Sequence, residues 1–313
     1  MKQVKTLFAL LLVLGTAVGF TAPAFAAGTV PPAPVKFVVL GDSIAAGSNM
    51  LFKSRAYAWI VARKMGWELN NYALGGSTSE DMLRQLKEDQ TVRRSIGEAD
   101  VIAVSVGGND FLRAEELTTL ITEGLLGDHR RGKQVVDNFR SVFDDIAAEL
   151  RALNPDARLI MQTLYNPAFS LPSLYTAYDA VSVGINKVIY NYLDKQPDAY
   201  EVADVYGAFQ GKNGLIFFDM THPSAAGHKM VAAVLLDTIN GTQTDMPPVF
   251  FGAADWFADM IEPALCRLDP IIFNESVFES IRPALWFIDN VFIEEFLNKL
   301  FFPVYIWIVK DWK

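Results

Sequence analysis

From Lys36 onward, short apolar runs alternate with longer stretches in which apolar residues recur every three or four positions. The short runs are KFVVL (36–40), ELNNYAL (68–74), VIAVSV (101–106), RLIMQTL (158–164) and YEVADV (200–205). Their length and β-branched content predict strands. AYAWIVARKM, SEDMLRQLKE, QVVDNFRSVFDDIAAELRAL, AYDAVSVGINKVIYNYL and AAGHKMVAAVLLDTI carry the helical period instead. Strands spaced by helices predict an α/β chain, with a parallel sheet covered by helices on both faces. Ligands of such sheets bind where loops leave the C-terminal strand ends. Gly-Asp-Ser after the first run, Gly-Gly-Asn-Asp after the third and Asn166-Pro167 after the fourth all fall there.

The pattern changes at both ends. Lys2 and Lys5 precede the apolar stretch TLFALLLVLGTAVGF, and Ala24-Phe25-Ala26 follows with the small-x-small spacing of a cleavage site. Residues 1–26 therefore read as a signal peptide and the chain as an exported one, with a proline-rich lead-in over 27–35. The main domain is expected over 36–245. From about Met246 the chain becomes rich in aromatics, and Ile281, Leu285, Ile288, Phe292 and Phe296 recur at helical spacing. Residues 246–313 are expected to be a helical extension that packs on the main domain or on a second copy. An interfacial surface or a cap over an acyl pocket is the alternative. LFFPVYIWIV (300–309) is too short to span a bilayer.

Charge and cysteine content narrow the classes. The 313-residue chain has a formal net charge of −9 and no basic cluster, which argues against a nucleic-acid partner. A single cysteine, Cys266, allows no intramolecular disulfide and reads as an inert thiol. With no H-E-x-x-H and no paired cysteine ligands, neither a metal nor a cofactor is expected.

Candidate chemistry centres on four short motifs. Ser43 in VVLGDSIAAG stands at the end of a strand, where a turn displays its hydroxyl. His222 in DMTHPSAAGH lies three residues after Asp219, a spacing that lets the acid reach the imidazole Nδ1–H and leaves Nε2 for a hydroxyl. Pro223 fits the first turn of the helix that follows. Of the other histidines, His129 falls in a charged loop, and His228 lies inside a predicted helix as a helix-face or capping residue. VSVGGND ends a strand with two glycines and brings the Asn109 amide, while ALGGSTS offers paired glycines whose N–H groups can bind a developing oxyanion. Each motif taken singly is also good turn chemistry.

Their order, Gly-Asp-Ser, Gly-x-Thr-Ser, Gly-Gly-Asn-Asp and Asp-x-x-His-Pro, resembles the blocks of the SGNH (GDSL) hydrolases over Lys36 to Ile239. Ile44 replaces that family's usual leucine. The resemblance implies a three-layer α/β/α sandwich with a flavodoxin-like parallel sheet. It implies Ser43 as nucleophile, His222 as base and Asp219 as the acid that orients it. It also implies an oxyanion hole from the Ser43 N–H, the Gly76 N–H and the Asn109 amide. Gly76 is preferred to Gly75 because it precedes the x-Thr-Ser pair. Asp42 and Asp110 read as turn-formers, and Gly108 as room for the backbone.

Three functions remain open on sequence. Export and the aromatic tail favour an esterase acting on lipid or other acyl esters, of lipase or lysophospholipase type. A carbohydrate or cell-wall O-acetylesterase would use the same machinery. A surface-binding module with a relic site would lack a catalytic position, and no matched position is lacking. The expected partner is a small-molecule or lipid ester, with membrane-surface or self-association through residues 246–313.

Overall fold

The computed structural model describes residues 33–242 apart from 51, 113–118, 121, 123–127, 169–171, 213 and 217–220. The signal peptide, most of the lead-in, Cys266 and the C-terminal extension expected from sequence lie outside these residues. Among the described residues no helix is long and apolar enough to cross a membrane.

Five strands form one parallel sheet: β1 (Lys36–Gly41), β2 (Glu68–Asn71), β3 (Val101–Ser105), β4 (Arg158–Gln162) and β5 (Glu201–Ala203), in the order β2-β1-β3-β4-β5. This is the doubly wound flavodoxin-like arrangement, in which the order reverses between β1 and β3. The helices are α1 (Tyr57–Met65), α2 (Ser79–Glu88), α3 (Gln90–Gly97), α4 (Asn109–Leu112), α5 (Arg130–Leu153), α6 (Pro172–Lys195), α7 (Val205–Phe209) and α8 (Ala225–Asn240).

Alternation along β1 separates the two layers of core, because successive side chains leave a strand on opposite faces. Val38 and Leu40 pack with Met82, Leu86, Phe139, Phe143 and Ile185, from α2, α5 and α6. Phe37 and Val39 pack with Tyr57, Val61, Val231 and Leu235, from α1 and α8. A side chain of this kind contributes about 1.5–3 kcal/mol when fully buried, so both faces stabilise β1 heavily. The strand that leads to the candidate nucleophile is thus held from both faces.

Local chemistry sets the helix starts nearest the site. Thr78 and Asp81 form a reciprocal capping box at α2, with Asp81 N donating to Thr78 Oγ1 and Thr78 N donating to Asp81 Oδ2, each at 3.2 Å. Asp89 caps α3 through the Thr91 and Val92 N–H groups. Ser224 caps α8, accepting from Gly227 N at 3.1 Å. The expected position of Pro223 in the first turn of α8 is therefore corrected. The Ser224 hydroxyl takes the cap, and Pro223 precedes it in an antiparallel bridge with Ile216.

Candidate active site

β1 ends at Gly41 because the chain must fold back at once. A Cβ on Gly41 would lie 2.6 Å from Ala45 Cβ and 2.7 Å from the Ser105 carbonyl oxygen. Only glycine lets the following turn and β3 approach this closely. The turn is helical: Ala46 N donates to Asp42 O and Ser48 N to Ser43 O, both at 2.9 Å. Its far end is held by side chains from other elements. Asn71 Nδ2 donates to Ala45 O at 2.8 Å, and Lys53 Nζ donates to Gly47 O at 2.7 Å and Ala46 O at 3.1 Å. Ser43 opens this turn and is partly exposed.

His222 reaches Ser43 from the other end of the chain, with Nε2 2.8 Å from Ser43 Oγ. For the hydroxyl to donate, Nε2 must be the bare nitrogen, which places the ring proton on Nδ1. The segment before α8 is pinned on several sides. Ser224 N donates to Leu215 O at 2.9 Å, Ser224 Oγ to Gly214 O at 2.7 Å, and Tyr165 Oη to Thr221 O at 2.7 Å. A Cβ on Gly227 would sit 2.0 Å from Leu215 O, so the first turn of α8 rests directly on that backbone. Asp219 lies outside the described residues.

The third wall is the turn Leu74–Ser77, closed by Ser77 N donating to Leu74 O at 3.1 Å. Gly76 is its third residue and has φ 78°, which a type II turn demands there and a side chain resists. Asn109 Nδ2 donates to Ser77 O at 3.0 Å, and this uses one of its two amide hydrogens. Asp110 does more than shape its own turn. Its carboxylate accepts from both the backbone N–H (3.0 Å) and the hydroxyl of Ser79, tying the start of α4 to the start of α2. Among the described residues, the backbone N–H groups of Ser43 and Gly76 have no protein acceptor.

Charge behind the pair is buried. Asp42 is 2% exposed, and its Oδ1 accepts from Ile44 N at 2.9 Å, the turn-forming role expected of it. Burial pushes its carboxyl up to about 6, opposed chiefly by the Ile44 hydrogen bond. A Cβ on Gly108 would stand 3.3 Å from Asp42 Oδ2, so this glycine does give the chain room. His228 is a core histidine: it is 1% exposed, its Nδ1 accepts from Tyr57 N at 3.4 Å, and its ring stacks on Tyr57. Burial pushes it down to about 3, so it stays neutral. His129 is exposed, at the start of α5.

Residues 39–230, more than half of the chain, match the model of the GDSL-like lipase/acylhydrolase family. The chain belongs to this family. It has a relative in YpmR of Bacillus subtilis (strain 168), itself uncharacterised, at 27% identity over 170 residues. That match covers 53% of this chain and 63% of YpmR. The fold is shared with the lipase Lip_vut3 from a goat rumen metagenome, at 21% identity and TM-score 0.56 over 65% of this chain and 97% of that one. It is shared too with phospholipase A1 from Streptomyces albidoflavus NA297, at 19% identity and TM-score 0.52 over 66% and 100% of the two chains.

The structure thus brings Ser43 and His222 into contact and places Asn109 against the turn that holds Gly76. Asn71 and Lys53 carry no motif in the sequence, although they hold the same turns. The only available signal for Asn71 was an amide at the end of a strand, which has many ordinary uses. The Asp110 clamp was hidden because its partner is 31 residues away.

Proposed function

We propose that this hydrolase is an exported serine esterase that cleaves lipid or other acyl esters through an acyl-enzyme. The 2.8 Å contact between Ser43 Oγ and His222 Nε2 carries this proposal. A serine hydroxyl is a weak nucleophile until an adjacent base accepts its proton. Ser43 Oγ attacks the ester carbonyl carbon as its proton passes to Nε2. The tetrahedral oxyanion is received by the Ser43 and Gly76 N–H groups and the second amide hydrogen of Asn109. Donors of this kind are each worth on the order of 3 kcal/mol. His222 returns the proton to the departing alcohol oxygen, and the acyl group stays on Ser43. Water then attacks the acyl-enzyme with His222 as base and releases the carboxylic acid. Asp219 is assigned the Nδ1–H of His222, holding the tautomer that leaves Nε2 free.

The family's description as lipases and acylhydrolases supports an acyl ester substrate. The N-terminal stretch supports export, and the aromatic content of residues 246–313 supports contact with a lipid surface or a second copy. The test is hydrolysis of p-nitrophenyl esters from acetyl to long-chain acyl by wild type and Ser43→Ala. We expect activity beyond the acetyl ester, falling by at least a thousandfold in the variant. Activity retained by Ser43→Ala rejects the nucleophile. A profile confined to acetyl rejects the lipid-type substrate.

A further inference from the structure

Two turns must keep a fixed relation for acyl transfer to proceed: the one that opens with Ser43 and the one that contains Gly76. They leave neighbouring strands. Tyr72 N donates to Val39 O and Leu74 N to Gly41 O, both at 2.9 Å, so the backbones run side by side only as far as Gly41. Beyond that point Asn71 bridges them. Its Nδ2 donates forward to Ala45 O in the nucleophile turn at 2.8 Å. Its Oδ1 accepts from Ala73 N at 3.0 Å, at the entry to the Gly76 turn. One planar amide, partly buried, therefore touches both turns at once. Among side chains of this size only asparagine offers a donor and an acceptor on a single rigid group. Aspartate keeps the acceptor and loses the donor. Alanine loses both.

We infer that Asn71 is a positioning residue that couples the nucleophile turn to the oxyanion turn. This rests on the roles proposed above for Ser43 and Gly76. Attack requires the nucleophile and the oxyanion donors to sit in register with one carbonyl group, and small displacements are costly at this stage. Losing the bridge lets the two turns move separately. The chemical step then slows while ground-state binding of the ester, which needs no such register, is retained.

The experiment measures kcat and KM for a p-nitrophenyl ester, and the rate of Ser43 labelling by a fluorophosphonate, in wild type, Ser43→Ala, Asn71→Ala and Asn71→Asp. All are assayed at a temperature where near-UV circular dichroism matches wild type. Both Asn71 variants are expected to lose at least fivefold in kcat and in labelling rate, with KM within twofold of wild type. If Asn71→Ala does not fold, Asn71→Asp, which keeps the Ala73 bond, decides alone. Wild-type-like kcat in either folded variant, or a loss confined to KM, overturns the coupling. Activity surviving in Ser43→Ala would instead reject the nucleophile itself, so the two failures are distinct.

Discussion

A buried carboxylate beside the proposed catalytic pair is costly to keep, and Asp42 shows how much. Its folded-state value is about 6 against an ordinary 3.8, because burial disfavours the charged form. Between those two values the folded chain binds a proton that the unfolded chain has already lost. Stability contributed by Asp42 is therefore complete below the ordinary value, declines as pH rises through the window, and levels off above about 6. The full penalty is about 3 kcal/mol. An amide oxygen at this position still accepts from the Ile44 N–H, so Asp42→Asn is expected to be more stable than wild type by up to about 3 kcal/mol at pH 7.5 in urea unfolding. Equal stability of the two proteins would contradict the burial account.

Among the elements, α8 bears directly on the site, because its cap and first turn anchor the segment that ends in His222 and Pro223. A methyl group on Gly227 would meet Leu215 O at 2.0 Å, and backbone cannot yield as a flexible side chain does. Gly227→Ala is expected to destabilise by about 1–3 kcal/mol, the usual cost of overpacking, and to lower kcat at least tenfold at temperatures where the protein is folded. Thermal unfolding and steady-state kinetics check both. Most element types were legible in the residue pattern: α2 spans the predicted SEDMLRQLKE, and α5 extends the predicted helix only at its start. Strand β2 ends at Asn71, yet Tyr72 N and Leu74 N still donate to Val39 O and Gly41 O, so the chain stays beside β1 across the rest of ELNNYAL. Helix α3 leaves no clear period in the sequence because it follows α2 after one capping residue, with only Val92 and Ile96 buried. Periodicity needs more than two apolar positions to be seen.

On the scale of the whole molecule, Asp42 and His228 pull the pH profile in opposite directions. His228 is held neutral with its value near 3, and the charges around it are His222, Lys53 and Arg55. Its contribution is complete above the ordinary histidine value and is lost as pH falls toward 3, at about 1.4 kcal/mol per pH unit. As pH falls, Asp42 gains stability at a similar slope over part of the same range, so the two offset each other between roughly pH 4 and 6. The advantage of Asp42→Asn should vanish by pH 4, whereas His228→Gln should gain on wild type with every unit below 6.5; parallel profiles for the three proteins would refute this balance. The order of four motifs made the Ser43–His222 partnership legible before any geometry. Asn71 was not legible, because its bond to Ala45 crosses 26 residues between two unremarkable positions. The contact between Ser43 and His222 crosses 179 residues. Ser43 is synthesised early and His222 late, so a ribosome-bound chain lacks its proposed base until the segment around His222 has emerged. On the proposed mechanism, the nascent chain until then holds a serine with no group to take its proton.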